Sequence, residues 1–137
     1  MIFPSGWFSK GWWKENLTDD TESPFKLFMA YACEMLEIQQ PPLIEYLNEP
    51  LQGDQPSFGC YNPSNKSIQI CIGGRNFMDS CRTLAHELVH HKQNELGQLQ
   101  AESGKTGSPE ENEANSVAAM LLRNFGKKYP EAYKKVY

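Results

Sequence analysis

An α+β fold is predicted for this chain, a small single domain that combines helices with a short sheet of two or three strands. Apolar residues recur at helical spacing in three stretches, near residues 24–38, 80–96 and 108–125. Isoleucines alternate with other side chains in residues 67–72, as in a half-buried strand. The 137 residues, 39% of them hydrophobic, suffice for one compact core.

The first predicted element is a helix that opens at Ser23-Pro24 and ends before Gln39-Gln40-Pro41-Pro42. Proline suits the first position of a helix, and prolines beyond its end prevent its continuation. The apolar residues of this helix are too widely spread for an exposed face, so we expect it to pack across the sheet. Residues 43–47 are interpreted as a short element that can form a strand, followed by a loop.

A hairpin is expected next. Residues 67–72 form the better strand, residues 57–61 are its candidate partner, and residues 62–66, with asparagine, proline and serine, form the turn. We expect this hairpin to lead directly into the next helix.

That helix carries the most informative pattern in the chain, His86-Glu87-Leu88-Val89-His90. On a helix, residues four apart lie one above the other, so His86 and His90 can direct ring nitrogens at a single metal ion. Zinc lowers the pKa of a coordinated water toward neutrality, and the Glu87 carboxylate accepts its proton as the water attacks a carbonyl. The pattern therefore supplies two ligands and a general base.

The limits of this helix are predicted from its flanking residues. Asp79 or Ser80 is a natural start, and Gly97 a natural end. The histidine pair lies opposite an apolar stripe, so the helix should have core on one side and metal on the other. His91 points elsewhere and is expected at the boundary or in solvent. The alternative is a surface helix whose histidines serve only solubility.

A catalytic zinc site needs a third protein ligand. The only other histidine in the chain, His91, points elsewhere, so the third ligand is expected to be a carboxylate or a cysteine. Glu111 is the best candidate, in a helix with Ser108 as its cap, Pro109 at its first position and Gly126 at its end. It heads the apolar stripe and so faces inward, whereas Glu113 points away and is the weaker candidate. The alternative role for Glu111 is a capping box with Ser108.

Together the two motifs, residues 86–90 and residues 111–115, resemble those of the gluzincin metallopeptidases, in which a second helix carries a glutamate ligand in a Glu-x-x-Ala-Asp/Asn context. The stretch ENEANSVAAMLL looks most like the ImmA/IrrE-type peptidases and the minigluzincins. The similarity covers roughly residues 57–125. Val117 stands where ImmA/IrrE-type proteins often have phenylalanine, and Arg123-Asn124 where they usually have proline.

This resemblance implies a small zincin-like domain with one zinc ion per chain, held by His86, His90 and Glu111, and with Glu87 as the general base. Asn115, one turn beyond Glu111, could orient a ligand histidine. By resemblance to zincins, an edge strand above the site pairs with extended substrate. Which strand has the free edge is left open.

The expected function is therefore that of a zinc metallopeptidase acting on a protein or peptide substrate. The alternative is a non-catalytic zincin-like binding or assembly module of a larger complex. An intact Glu87 favours the enzyme, because a structural zinc site has no need of a base beside its histidines.

Residues 1–22 are interpreted as an aromatic N-terminal arm, separate from a single domain formed by residues 23–137. Its tryptophans and glycines fit no regular period, and such an aromatic cluster is typical of an interface, here with a possible protein partner. At the other end, Tyr129, Tyr133 and Tyr137 recur every four residues of a basic terminal helix, and one of them could stabilise an oxyanion.

Composition limits the remaining choices. A net charge of −4 gives no electrostatic reason to expect nucleic-acid binding. No apolar stretch suits a signal peptide or a membrane span, so a cytoplasmic location and reduced thiols are expected. Cys60 and Cys71 flank the predicted turn, a position from which they could approach each other across the hairpin. A cysteine-rich structural zinc site is the second choice of metal site.

Overall fold

The computed structural model describes residues 24–53, 57–99 and 107–131. These residues form helix α1 (Pro24–Met35), strands β1 (Leu43–Leu47), β2 (Gly59–Asn62) and β3 (Ser67–Cys71), helix α2 (Phe77–Glu95) and helix α3 (Pro109–Lys128). The predicted α+β class is confirmed. The predicted aromatic arm, residues 1–22, lies outside the described residues, as does the tail beyond residue 131.

The three strands form one mixed sheet in the order β1-β3-β2. Strands β2 and β3 are antiparallel, as expected for a hairpin, with Cys60 opposite Gln69. Strand β1 pairs in parallel with β3, so the predicted short element is a strand. Strand β2 begins at Gly59, two residues later than predicted, because Ser57 forms an isolated bridge with Leu51 instead. Strand β2 is thus an edge strand.

The core lies between this sheet and the three helices. Ile68 and Ile70, on one face of β3, are completely buried. On the helical side, Phe28 of α1 meets Phe125 of α3 edge to face, with ring centroids 5.0 Å apart. Leu84 of α2 is also completely buried, and α2 packs against both other helices and against β2 and β3. Helix α2 is therefore held on several sides, which fixes the direction of its remaining face.

Each helix differs from its predicted limits at one end. Helix α1 stops at Met35 because Glu37 adopts a left-handed backbone conformation, with φ of 55°. Helix α2 starts earlier than Asp79 or Ser80, since Asn76 is its cap and accepts a hydrogen bond of 2.8 Å from the Asp79 N–H. Helix α3 runs through Gly126 to Lys128. None of the helices within the described ranges has the length and apolarity that crossing a membrane requires.

All four cysteines are free thiols. Cys33, Cys71 and Cys81 are buried, and Cys60 is exposed on β2. In the register of the hairpin Cys60 lies opposite Gln69, so Cys60 and Cys71 are not cross-strand partners. Among the described residues, no cysteine belongs to a cluster of three or more potential metal ligands.

Candidate metal centre

Helix α2 presents His86 and His90 on the side that faces α3. The two residues are four apart, and their Nε2 atoms lie 3.2 Å from each other. Leu84 and Leu88, on the opposite side, are completely buried in the core. The helix therefore has core on one side and paired imidazoles on the other, as the periodicity predicted.

Helix α3 brings Glu111 to these two rings. Its carboxylate Oε1 lies 2.8 Å from His86 Nε2, and its Oε2 lies 3.0 Å from His90 Nε2. Glu111 is in the first turn of α3, where its backbone N–H donates to the Ser108 hydroxyl at 3.1 Å. Ser108 thus caps the helix while the Glu111 side chain contacts the histidines. The Glu113 carboxylate instead accepts a hydrogen bond of 2.8 Å from Gln93 Nε2.

The donor atoms of His86, His90 and Glu111 suit a zinc ion. One ligand atom from each lies within 4.8 Å of the others, and no second group of this kind occurs in the described part of the chain. Atoms bound to zinc at about 2.1 Å in a tetrahedron lie about 3.4 Å apart. The observed separations of 2.8 to 3.2 Å are close to this value. Two imidazole nitrogens and a carboxylate repel one another unless a cation or shared protons lie between them, so a dication fits this cluster.

Glu87 lies beside the cluster and is 7% exposed. Burial raises the pKa of its carboxyl to about 7, an effect that neighbouring His90 opposes and Glu111 reinforces. Its carboxylate is close to Gly59 of β2: a Cβ at Gly59 would lie 3.5 Å from Glu87 Oε2. The edge strand therefore passes directly over the predicted base.

Further side chains contact the two candidate ligand rings. Burial lowers the pKa of His86, while the Glu111 carboxylate and the side chain of Asn115, the residue considered for an orienting role, act in the opposite direction. His90 Nδ1 lies 2.8 Å from Gln93 Oε1. Sequence reasoning missed Gln93, although its position three residues after His90 places it on the same helical face.

His91 is completely buried, so the expectation of a boundary or solvent position is wrong. His91 does not belong to the ligand cluster. Its ring is hydrogen-bonded to two segments that are distant from it in sequence. The Nε2 atom donates to the Gln40 carbonyl at 2.6 Å, and Nδ1 accepts from the Tyr61 hydroxyl at 2.8 Å. Burial lowers the pKa of His91, which favours this neutral ring. Its burial depends on contacts with residues 30 and 51 positions away, which helical periodicity does not reveal.

The cluster lies in a groove of about 930 Å³ between β2 and the two helices. The strand side of the groove is formed by Ser57, Phe58, Gly59, Cys60 and Tyr61. Tyr129 packs against Tyr31 and Phe125 and does not line this groove. Tyr133 and Tyr137, the other tyrosines considered for oxyanion stabilisation, lie outside the described residues.

The groove thus contains a group of side chains that could hold a metal ion, beside an exposed strand edge. Assignment to a peptidase family stays a prediction, based on the two motifs alone. Comparison of the chain with protein-family models, with curated proteins and with solved structures gives no match.

Proposed function

We propose that this protein is a zinc-dependent metallopeptidase, which hydrolyses peptide bonds. The observation that carries the proposal is the convergence of His86, His90 and Glu111 in a groove with a buried carboxylate, Glu87, beside them. Two imidazoles and one carboxylate, with room for a further ligand, are a donor set of catalytic zinc sites. A purely structural zinc site would have a fourth protein ligand, and it would have no use for a neighbouring base.

Zinc, when bound, supplies a Lewis acid that polarises a carbonyl oxygen and makes water more acidic. Glu87 then acts as the general base and accepts a proton from the water that attacks the peptide carbonyl. Glu87 returns this proton to the nitrogen of the departing amine as the C–N bond breaks. The products are a carboxylic acid and an amine, and no side chain of the protein becomes covalently attached to the substrate.

Strand β2 is suited to hold an extended substrate. The Cys71 N–H donates to the Phe58 carbonyl at 2.8 Å, and hydrogen-bonded and non-hydrogen-bonded pairs alternate in an antiparallel ladder. The backbone groups of Gly59 and Tyr61 therefore point away from β3, toward the open edge. At Gly59 the Ser57 hydroxyl donates to the carbonyl at 2.8 Å, so a peptide pairing there would displace it. Strand addition of this kind recognises the main chain of a peptide.

Metal content is the first test. Elemental mass spectrometry of untagged protein, reconstituted with zinc, should find about one zinc per wild-type chain and little in Glu111→Ala. Glu110→Ala is the matched control, because Glu110 is also an acidic residue in the first turn of α3 and lies outside the cluster. Absence of zinc from all three proteins would overturn the proposal.

Turnover is the second test. Glu87→Gln should keep its zinc and lose cleavage of a peptide library by about 10²–10⁴-fold, since it removes only the proton acceptor. Glu110→Gln should cleave as the wild type does. If zinc-loaded wild type leaves every peptide intact, and Glu87→Gln retains full biological activity, the non-catalytic binding or assembly module would replace the enzyme.

A further inference from the structure

Gln93 is a buried polar side chain that contacts one candidate ligand, His90, and the helix that carries another, Glu111. It is 1% exposed and lies about one turn beyond His90 on α2. Its Oε1 is 2.8 Å from His90 Nδ1. Its Nε2 donates to the Glu110 carbonyl at 2.9 Å and to the Glu113 carboxylate at 2.8 Å. A buried amide whose hydrogen bonds are satisfied in this way has a well-determined orientation.

The orientation of the amide determines which nitrogen of His90 carries the proton. The Glu110 carbonyl and the Glu113 carboxylate can only accept, so the NH₂ group of Gln93 must face them. Its oxygen then faces His90 Nδ1, and an amide oxygen accepts only from a protonated nitrogen. The neutral ring is left with a lone pair on Nε2, the atom that lies 3.2 Å from His86 Nε2 and 3.0 Å from Glu111 Oε2.

The same side chain also holds the helix of the third ligand. Glu110 and Glu113 lie on either side of Glu111 in the sequence, at the start of α3. The two bonds from Gln93 Nε2 therefore tie this segment to α2, the helix that carries both histidines. If they are lost, the Glu111 carboxylate is held in place less strictly relative to the two rings.

We infer that Gln93 is a positioning residue of the metal centre, which sets the tautomer of His90 and holds Glu111 in place through its neighbours in α3. The inference rests on the proposed zinc site, and it adds to it a single side chain that couples the two ligand-bearing helices.

The tautomer of His90 can be observed without any metal. In the metal-free wild type, Glu111 Oε2, 3.0 Å from His90 Nε2, would compete with Gln93 for the proton, so the spectra are recorded in a Glu111→Ala background. Long-range ¹H–¹⁵N correlation spectra of this variant, recorded well above the titration range of imidazole, distinguish protonated Nδ1 from protonated Nε2. His90 should be protonated on Nδ1. When Gln93→Met, which keeps a similar volume and has no hydrogen-bonding amide, is added, this preference should be lost. His91 is an internal reference, since its partners, Gln40 and Tyr61, are unchanged.

Zinc affinity, measured by competition with a chelating dye, is the second readout. Gln93→Met should bind zinc about 10–100-fold more weakly, as is usual when a residue that orients a ligand is lost. Gln69→Met is the matched control, because it removes another glutamine that donates to a carboxylate, Glu45, on the sheet. Neither the tautomer of His90 nor zinc affinity should change in this control.

A double variant tests whether the effects of Gln93→Met come from the lost hydrogen bonds and not from a general loss of structure. Gln93→Glu combined with Glu113→Gln exchanges the acceptor and the donor while the net charge stays the same. It should restore Nδ1 protonation of His90, whereas zinc affinity should recover only in part, because a glutamate cannot donate to the Glu110 carbonyl. An unchanged tautomer and unchanged affinity in folded Gln93→Met would overturn the inference. If wild type itself bound no zinc, the proposed function would fail, and the metal-directed part of the inference with it.

Discussion

At the scale of single residues, Gly59 determines how closely the edge strand approaches Glu87, the proposed base. A Cβ at this position would lie 2.4 Å from Thr83 Cγ2 and 3.4 Å from Glu87 Cγ, both on α2. The first distance is too short for two carbon atoms, so any other residue would force the strand and the helix apart. The absence of a side chain thus allows β2 to lie directly against the helix that carries the candidate base.

Gly59→Ala should therefore weaken both stability and peptide cleavage. Overpacking of this kind costs about 1–3 kcal/mol of the free energy of unfolding, and a small displacement of β2 should also reduce turnover. Urea unfolding and cleavage assays on the variant measure the two effects. An alanine variant as stable and as active as wild type would show that the strand adapts without moving from Glu87.

Thr83→Ser provides the matched partner for that experiment. It removes the Cγ2 methyl group that the new Cβ would strike, and it keeps the hydroxyl that accepts from Arg75 at 3.0 Å. In a double-mutant cycle, the two substitutions together should cost less than the sum of their separate costs, by about 1 kcal/mol. Simple additivity would place the strain at another contact of Gly59.

At the scale of elements, the two helices that carry the candidate ligands differ in how far their caps lie from those ligands. Ser108 caps α3 by accepting from the N–H of Glu111 itself. Asn76 caps α2 at a position ten residues before His86. Fraying of the first turn would therefore displace the candidate ligand Glu111 in α3 but would leave the histidines of α2 in place.

The two caps thus give a paired prediction. Ser108→Ala and Asn76→Ala should each cost about 1 kcal/mol of the free energy of unfolding. Zinc affinity should fall several-fold in Ser108→Ala, and it should change little in Asn76→Ala. Thermal unfolding and dye competition on both variants test this, and an equal loss of affinity would mean that the start of α3 is held by contacts other than its cap.

The sequence anticipated those features that depend on local spacing. Helical periodicity placed His86 and His90 on one face, and the inward direction of Glu111 agreed with its contact to them. The parallel pairing of β1 with β3 was not predicted, because it joins segments that are distant in sequence. The roles of Gln93 and His91 were missed for the same reason, since their partners lie on other elements.

At the scale of the whole molecule, the candidate metal centre connects two helices that the core also joins. His86 and His90 come from α2, whereas Glu111 is 21 residues beyond His90 at the start of α3. The two helices pack side by side, and α3 reaches the core through Phe125. In an unfolded chain the three candidate ligands are far from this arrangement. Zinc should therefore bind the folded state preferentially and raise its stability.

Preferential binding of zinc to the folded state predicts how much zinc should stabilise the protein. Free zinc at a hundred times its Kd should add about 2.7 kcal/mol to the free energy of unfolding. For a domain of this size that corresponds to an increase in Tm of about 10 °C. Calorimetry with and without zinc measures it, and a chelator should reverse it.

Two variants distinguish the stability that zinc binding would add from the stability that the hydrophobic core provides. Glu111→Ala should lose most of the increase in Tm that zinc produces. Phe125→Leu should lower Tm with and without zinc, because Phe125 is completely buried against Phe28. The increase in Tm that zinc produces should remain similar in this variant, since Phe125 lies about four turns beyond Glu111 on α3. If Glu111→Ala kept the full increment, zinc would be stabilising the fold through other ligands. If Phe125→Leu lost it, the metal centre would depend on the packing of the whole helix, and not on the first turn of α3 alone.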